Sequence, residues 1–344
     1  MLTWLHPRRP VTVDAPLRDE LLDVDRLQDH ARVLAARFVV APPDVRGRHT
    51  VLQRLDDNAR VIADTYRRLA DDVRAARVVA PAGDWMLDNY HLVQSEIRAL
   101  RKDLPRGFYH QLPLVAGSAD ARVYLLALEL IRHTDSRLDA RQLVAFLDSV
   151  QTVTPLTLGE LWAWPSMLRL ALLENLRRLA DDVLADREAR RQADAYIGRL
   201  ERGAAYTSPD WDAQRRTPFV VQLLHRIREQ GPAMAPVQTA VDAHLDGLGL
   251  SSDAVVREDH QHQATAQLLV ANVITSLRTC ASLDWKDLVE SVSLVDRALR
   301  RDPAGAYPRM DFASRDGQRR AIERMVPDDG EAQVRVARRA VELA

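Results

Sequence analysis

The chain has 344 residues, with 48 basic and 49 acidic side chains and a formal net charge of -1. This balance gives no excess positive field to attract nucleic acid, so we expect no nucleic-acid partner. Cys280 is the single cysteine, which excludes an intrachain disulfide and a cysteine-based zinc site. The longest apolar runs fall short of the roughly 20 residues that a bilayer span needs. The sequence therefore predicts a soluble cytoplasmic chain of one or two domains.

The composition favours helices over sheets. Aromatic residues make up 5% of the chain and there are only 13 glycines, whereas alanine, leucine and arginine fill long windows. Strands prefer aromatic and β-branched residues, and helices prefer the residues found here. We predict an all-α fold, either a multi-helix antiparallel bundle or an irregular α-α superhelix, with no significant β-sheet.

The first elements follow from prolines and apolar spacing. Residues 1–20 contain three prolines and little periodicity, which predicts a flexible N-terminal tail. A helix follows with a stripe from Leu27 to Phe38 and ends before Pro42 and Pro43. Residues 52–73 alternate apolar steps of three and four, the pattern of a long helix that needs a partner.

Residues 85–104 are predicted to form one amphipathic helix, because apolar side chains recur at steps of three and four. Its start also carries ring, amide and carboxylate groups that the apolar stripe does not require. Groups of this kind can hold a sugar. They are Trp85, Asp88, Asn89, His91 and Glu96.

Helix-start signals organise the middle of the chain. Shorter helices are predicted over about 120–134 and 139–151. Thr157 and Glu160 then form a capping box, in which each residue bonds the other's free backbone amide. Pro165 allows a second helix start within the same stretch. Trp162 and Trp164 accompany Glu160 at this entrance, in GELWAWP.

Residues 203–218 are the best linker candidate between two helical halves, 21–205 and 206–344, which could also form one continuous domain. In the second half, apolar stripes predict further helices at 219–227, 237–245, 268–275 and 288–299. The heptapeptide RRLADDV occurs at 67–73 and again at 177–183. It indicates either a duplicated helical unit or chance convergence on an amphipathic helix.

No motif establishes catalysis. Glycine-rich phosphate-binding loops and serine-nucleophile elbows do not occur in the sequence. REDHQHQ at 257–263 is interpreted as a solvated polar turn, and we expect no metal site and no cofactor in this chain. Glycoside chemistry requires two facing carboxylates, and the sequence cannot say which acids face each other. The catalytic residues, if there are any, stay unknown.

Three clusters combine flat apolar rings with hydrogen-bonding groups, which is how proteins hold sugars or lock one helix end against another. The clusters are WMLDNYH at 85–91, GELWAWP at 159–165 and MDFASRD at 310–316. The candidates for glucan binding or helix locking are Trp85, Asp88, Asn89, His91, Glu96, Glu160, Trp162, Asp311, Arg315 and Asp316.

At these clusters the chain resembles the N-terminal helical region of the cyclic β-1,2-glucan synthases. The blocks are DNYHLVQSEIRALRKDLPRGFYHQLP at 88–113, LTLGELWAWPSMLRLALLENLRRL at 156–179 and RRDPAGAYPRMDFASRDGQRRAIE at 300–323. The resemblance implies a bacterial inner-membrane enzyme that takes glucose from UDP-glucose, builds a β-1,2-linked chain and releases it as a ring. Residues of its transferase core have no counterpart here.

The resemblance therefore implies a non-catalytic helical module, encoded as a fragment or truncated, whose partners are the transferase and membrane segments of a synthase. β-1,2-Glucan itself is a further candidate partner. Its expected location is the cytoplasm, peripheral to the inner membrane. Two alternatives stay open. The chain could be a free-standing carbohydrate-active enzyme acting on β-glucan, or a general helical-repeat scaffold for protein interactions.

Overall fold

A computed structural model describes residues 14–41, 51–103, 112–205, 207, 209 and 217–344. The described residues form fourteen α-helices and one two-stranded antiparallel sheet, so the predicted all-α class is confirmed. The strands are β1 (Val40–Ala41) and β2 (Leu114–Val115). The helices are α1 (Val24–Arg37), α2 (Val51–Arg74), α3 (Pro81–Asp88), α4 (Tyr90–Asp103), α5 (Arg122–Arg132), α6 (Ala140–Gln151), α7 (Leu158–Glu201), α8 (Thr217–Gln230), α9 (Ala235–Gly247), α10 (Ser252–Ser282), α11 (Trp285–Val292), α12 (Leu294–Leu299), α13 (Phe312–Met325) and α14 (Gly330–Glu342).

The chain divides into two compact units. Unit 1 consists of Met1–Pro16, Val61–Leu87 and Arg177–Val270, and unit 2 consists of Leu17–Arg60, Asp88–Leu176 and Ala271–Ala344. The prediction of successive halves at 21–205 and 206–344 stays a prediction. Most of the predicted linker, residues 206, 208 and 210–216, lies outside the described residues.

Unit 1 has a core built from the second part of α7 and from α8, α9 and α10. Ile197, Leu223, Val241 and Val255 represent these four helices in one buried cluster. The predicted stripes at 219–227 and 237–245 are the buried faces of α8 and α9, as their periodicity indicates.

Unit 2 is built around α1, α5, α6, the first part of α7 and α11 to α14. Helix α1 packs against α6, and α12 packs against α14. Trp164 is fully buried and its ring stacks on Phe146 with centroids 6.2 Å apart. Pro165 lies inside α7, which begins at Leu158, so a separate helix start at Pro165 does not occur.

The segment before α1 is bound to unit 2. Leu17 is buried, and its amide donates to Asn175 Oδ1 at 2.7 Å. The amides of Asp19 and Leu22 donate to the carbonyls of Arg132 and His133. Residues 1–13 of the predicted tail lie outside the described residues, and the flexibility of the tail stays a prediction.

The prediction of one helix over 85–104 is wrong, because α3 ends at Asp88 and α4 begins at Tyr90. Asn89 is buried between them, and its carbonyl accepts the Val93 amide at 3.2 Å. Asparagine is among the residues favoured at a helix start, and its side chain bonds Arg278 here. A buried polar residue with a distant partner therefore divides one apolar stripe between two helices.

Two other stripes also differ from prediction. On α10, Leu268 and Thr275 of the predicted stripe are exposed, whereas Leu269, Val273 and Leu277 are buried. Adjacent apolar residues fit two registers of a helical stripe, and spacing alone cannot choose between them. The stripe at 288–299 is buried but belongs to α11 and α12, which meet at Ser293.

A helix that crosses a membrane must be about 20 residues long and predominantly apolar. Within the described part of the chain, no helix is both long and apolar enough to span a bilayer.

Candidate functional site

The Glu160 cluster forms a buried ion pair at the start of α7. Glu160 accepts hydrogen bonds from Arg122 Nε at 2.8 Å and Arg122 Nη2 at 2.6 Å, and both side chains are buried. The predicted capping box is confirmed. The Thr157 amide donates to Glu160 Oε2 at 2.9 Å, and the Glu160 amide donates to Thr157 Oγ1 at 3.1 Å. The Glu160 carboxylate therefore accepts three hydrogen bonds, two from Arg122 and one from the Thr157 amide, and this geometry locks α5 to α7.

Rings from the second and third predicted clusters meet in unit 2. Trp162 on α7 contacts Phe312 on α13 edge to face, with centroids 6.2 Å apart. Two cations also lie against the Phe312 ring, Lys286 Nζ at 5.0 Å and the Arg319 guanidinium at 5.2 Å from its centroid. Trp162, Lys286 and Arg319 all contact the ring of Phe312. The aromatic pair of Trp162 and Phe312 therefore joins α13 to α7.

The MDFASRD cluster belongs to a buried ionic network. Arg315 and Arg319 on α13 both bind the Glu290 carboxylate, at 2.8 and 2.6 Å. Arg319 also lies 2.9 Å from Asp296, which accepts a hydrogen bond from the Tyr307 hydroxyl at 2.8 Å. Arg319 is 2% exposed, so its charge is compensated almost entirely by these acids.

The remaining acids of this cluster have local roles. Asp311 caps α13 by accepting the Ser314 amide at 2.7 Å, and that bond lowers the pKa of its carboxyl group. Asp316 lies 2.9 Å from Arg320 Nε and 3.6 Å from Arg319 Nη2. Burial alone would raise the pKa of Glu290, but the hydrogen bonds from Arg315 and Arg319 lower it. Glu290 therefore stays ionised near neutral pH.

The residues of the first cluster have different environments. Trp85 on α3 belongs to unit 1 and is partly buried, whereas the other nine candidates belong to unit 2. Asp88 and His91 are exposed, and Asn89 is buried against Arg278. Glu96 is 6% exposed, and its Oε2 lies 3.7 Å from Arg169 Nη1. Burial, which Arg169 opposes, raises the pKa of Glu96.

Sequence reasoning missed a cleft of about 610 Å³ in unit 1. Its wall contains three ion-paired groups contributed by α2, α7 and α10. Arg187 binds Asp72, with Nη2 2.8 Å from Oδ1. Arg190 binds the buried carboxylate of Asp259, with Nη2 3.0 Å from Oδ1. The third group contains His262.

His262 is the centre of that third group. Its Nε2 lies 3.0 Å from Asp182 Oδ2 and 3.2 Å from Asp186 Oδ2, two carboxylates one turn apart on α7. Hydrogen bonds to Asp182 and then Asp186 raise the pKa of His262 to about 10. The imidazolium form of His262 is therefore the stable one at neutral pH. Its positive charge lies in the wall of the cleft.

The interpretation of REDHQHQ as a solvated turn is wrong. The segment lies inside α10, where Asp259 is 1% exposed and His262 is paired with α7. One sequence signal could have indicated the cleft, namely the repeated RRLADDV, because Asp72 and Asp182 occupy the same position in the two copies. Both side chains line the cleft.

Comparison with known proteins gives one informative match. The chain is 33% identical over 282 residues to the cyclic β-(1,2)-glucan synthase NdvB of Rhizobium meliloti. The match covers 80% of this chain but 10% of the synthase, so the chain spans about a tenth of the length of that relative. No family model matches the chain. The resemblance predicted from the three sequence blocks is confirmed.

Proposed function

We propose that this chain is a non-catalytic helical module that supports the synthesis of cyclic β-1,2-glucan by other parts of a synthase. The observation that carries this proposal is the pairing of Glu160 with Arg122 inside unit 2. A glycosidase acid or base must exchange a proton with the substrate, and a carboxylate held by two guanidinium hydrogen bonds is poorly suited to that task. Such a pair is well suited to holding α5 and α7 in a fixed arrangement.

The partners in this proposal are the transferase and membrane segments of a synthase that uses UDP-glucose as its donor. The module acts in the cytoplasm, peripheral to the inner membrane. The similarity to NdvB supports this assignment, since the matched stretch is a small part of a much longer synthase. The internally paired Glu290, Arg315 and Arg319 give unit 2 a rigid body suitable for docking.

A finer part of the proposal is that the module contacts the growing glucan. Asp88 and His91 support it, because both are exposed polar groups of the WMLDNYH cluster and can hydrogen-bond hydroxyl groups.

Two measurements on the purified chain test the proposal. Incubation with UDP-glucose and with linear β-1,2-glucan should release no product, whereas turnover by the isolated chain would overturn the non-catalytic assignment. Calorimetry with linear and cyclic β-1,2-glucan should give heat of binding that Asp88→Asn and His91→Gln each reduce. If the parent chain gives no heat of binding, the proposed glucan contact is ruled out and only the proposed docking to the synthase remains.

The cleft of unit 1 favours a second candidate, a free-standing enzyme acting on β-glucan. Five aspartates line it, and Asp186 and Asp194 are among those with some exposure. If this candidate is correct, the chain hydrolyses or phosphorolyses glucan oligomers and Asp186→Asn abolishes the activity. Recovery of partners unrelated to glucan synthesis in a pull-down would instead favour a general helical scaffold.

A further inference from the structure

Two histidines and one glutamate converge in unit 2, away from every cluster described above. His30 lies on α1, Glu129 lies on α5, and His133 follows directly after α5. His30 Nε2 is 3.4 Å from Glu129 Oε2, and His133 Nε2 is 3.8 Å from the same oxygen. One ligand-type atom from each residue lies within 4.8 Å of the other two.

These separations fit a metal ion better than a direct hydrogen bond. Zinc binds nitrogen and oxygen at about 2.0–2.2 Å, which places neighbouring ligand atoms of a tetrahedral site about 3.3–3.5 Å apart. Hydrogen bonds from nitrogen to oxygen are usually about 2.7–3.2 Å long. The distance of 3.4 Å between His30 and Glu129 has the length of an edge of such a tetrahedron.

The proton of His133 is fixed on the nitrogen that faces away from the cluster. His133 Nδ1 lies 2.9 Å from the carbonyl oxygen of Glu20, which can only accept a hydrogen bond. In the neutral imidazole, Nδ1 therefore carries the proton and Nε2 presents a lone pair toward Glu129. Metal-binding histidines in proteins usually have this arrangement, with the second nitrogen donating to a carbonyl or carboxylate.

The surroundings of His30 favour the neutral imidazole that a metal ligand requires. Burial, followed by the neighbouring His133, lowers the pKa of His30, which favours its neutral form. The two imidazole rings lie 4.3 Å apart. Arg132 forms an ion pair with Glu129, with its Nη1 3.1 Å from Oε1. The two histidines lie near the other carboxylate oxygen, Oε2.

We propose that His30, Glu129 and His133 bind a divalent cation of the zinc class, with water as the fourth ligand. Two imidazoles and one carboxylate are ligands typical of zinc, whereas calcium and magnesium require more oxygen ligands. The three side chains are 25%, 20% and 11% exposed, so the site is closed on the protein side and open to a water molecule. The ion joins α1 to the end of α5, independently of any role in glucan synthesis.

The group around His262 is the natural competitor for the same ion. It also has three ligand-type side chains, His262, Asp182 and Asp186. There the imidazole is already protonated between two carboxylates, so a metal ion would have to displace that proton. His262→Gln is therefore a control that separates the two sites.

The test is zinc binding by the full chain after removal of metal with a chelator. Calorimetry should show one tightly bound zinc ion, and cobalt in its place should give the intense visible absorption of a tetrahedral site. His30→Gln, Glu129→Gln and His133→Gln should each weaken zinc binding by at least about tenfold. His91→Gln, which changes an exposed histidine on α4, and His262→Gln should bind zinc as the parent chain does.

Three results would overturn the proposal. They are the absence of zinc binding by the parent chain, binding that survives both His30→Gln and Glu129→Gln, and loss of binding in His262→Gln. Circular dichroism shows whether each variant is folded. If His133→Gln does not fold, the partly exposed His30 and Glu129 still decide the outcome, because zinc should raise the melting temperature of the parent chain and not of their variants.

Discussion

Arg319 is the buried cation that joins Glu290 and Asp296 in the ionic network of unit 2. Its guanidinium lies within 2.9 Å of both Glu290 and Asp296, and all three side chains are at least nine-tenths buried. A buried ion pair adds little over an apolar pair of the same size, but removal of one partner reduces the compensation of a buried charge. Without Arg319, the two acids would keep their contacts with Arg300, and Glu290 would also keep Arg315. The stability of the α11–α14 region should still be sensitive to this side chain.

We predict that Arg319→Met lowers the free energy of unfolding by about 1–3 kcal/mol, because Glu290 and Asp296 lose a buried cation that they share. Urea denaturation followed by circular dichroism measures the change. Arg320→Met is the matched control, since Arg320 is 72% exposed and, within the described residues, forms an ion pair with Asp316 alone. It should cost less than about 1 kcal/mol. Equal effects of the two variants would mean that the buried network does not stabilise unit 2.

His262 should make stability depend on pH. Its pKa is about 10 in the folded chain and 6.5 as the ordinary value. A raised folded pKa stabilises the fold fully below pH 6.5, and the contribution is lost as pH rises through about 10. The side chain is 45% exposed, so solvent screening limits the effect to less than about 1 kcal/mol.

We therefore predict that the melting temperature of the parent chain falls more steeply between pH 7 and about 10 than that of His262→Gln. Subtracting the two profiles removes the titration of other groups that both proteins share. His91→Gln should follow the parent profile, because His91 is exposed on α4. Parallel profiles for the parent and His262→Gln would show that the pairing with Asp182 and Asp186 does not stabilise unit 1.

At the residue scale, local pairs were predictable and distant pairs were not. Thr157 and Glu160 are three residues apart, so the capping box could be read from the sequence. Arg122 is 38 residues from Glu160, and no local pattern indicates which arginine binds it. The same holds for His30 and Glu129, which are 99 residues apart. Chemistry that depends on such pairs needs the folded structure.

Helices α13 and α14 each contain a glycine, with opposite surroundings. A Cβ atom on Gly330, at the start of α14, would lie 2.6 Å from the Pro155 carbonyl oxygen and 2.9 Å from Leu156. A Cβ atom on Gly317, inside α13, would have no heavy atom within 4 Å. The close approach at Gly330 lets α14 begin directly against the segment before α7.

We predict that Gly330→Ala destabilises the chain by about 1–3 kcal/mol, because backbone must move to admit the methyl group. Gly317→Ala should stabilise it by about 0.5–1 kcal/mol, because alanine favours the helix and meets no neighbour. Thermal unfolding of both variants beside the parent chain gives the signs. A neutral Gly330→Ala would mean that α14 does not pack as closely on the segment at 155–156 as the structure has it.

At the element scale, periodicity located the helices better than it located their ends and faces. The long stripe at 52–73 corresponds to α2, although Val73 is 53% exposed at its end. The breaks at Asn89 and Ser293 depend on polar groups whose partners or caps interrupt an otherwise apolar pattern. On α10 two neighbouring registers have helical spacing, and the buried one, with Leu269, Val273 and Leu277, is more apolar than the predicted one, which contains Thr275.

At the scale of the whole molecule, the two units differ in how their charged groups are used. In unit 2 the predicted clusters mostly join helices through Glu160, Glu290 and their arginines. In unit 1 the paired groups Asp72–Arg187 and His262–Asp182 line an open cleft. The sequence indicated the first set through helix-start signals, but the cleft requires side chains from segments more than 100 residues apart.

The central claim is that this chain supports glucan synthesis carried out by other parts of a synthase. Its most direct test uses Rhizobium meliloti NdvB in which the matched stretch is replaced by this chain, beside a version that lacks the stretch. Membranes containing each protein are supplied with labelled UDP-glucose, and cyclic β-1,2-glucan is measured. We predict glucan from the replacement and none from the deletion. A replacement protein that is present at normal abundance but makes no glucan, or a deletion that makes as much as the parent, would contradict the claim.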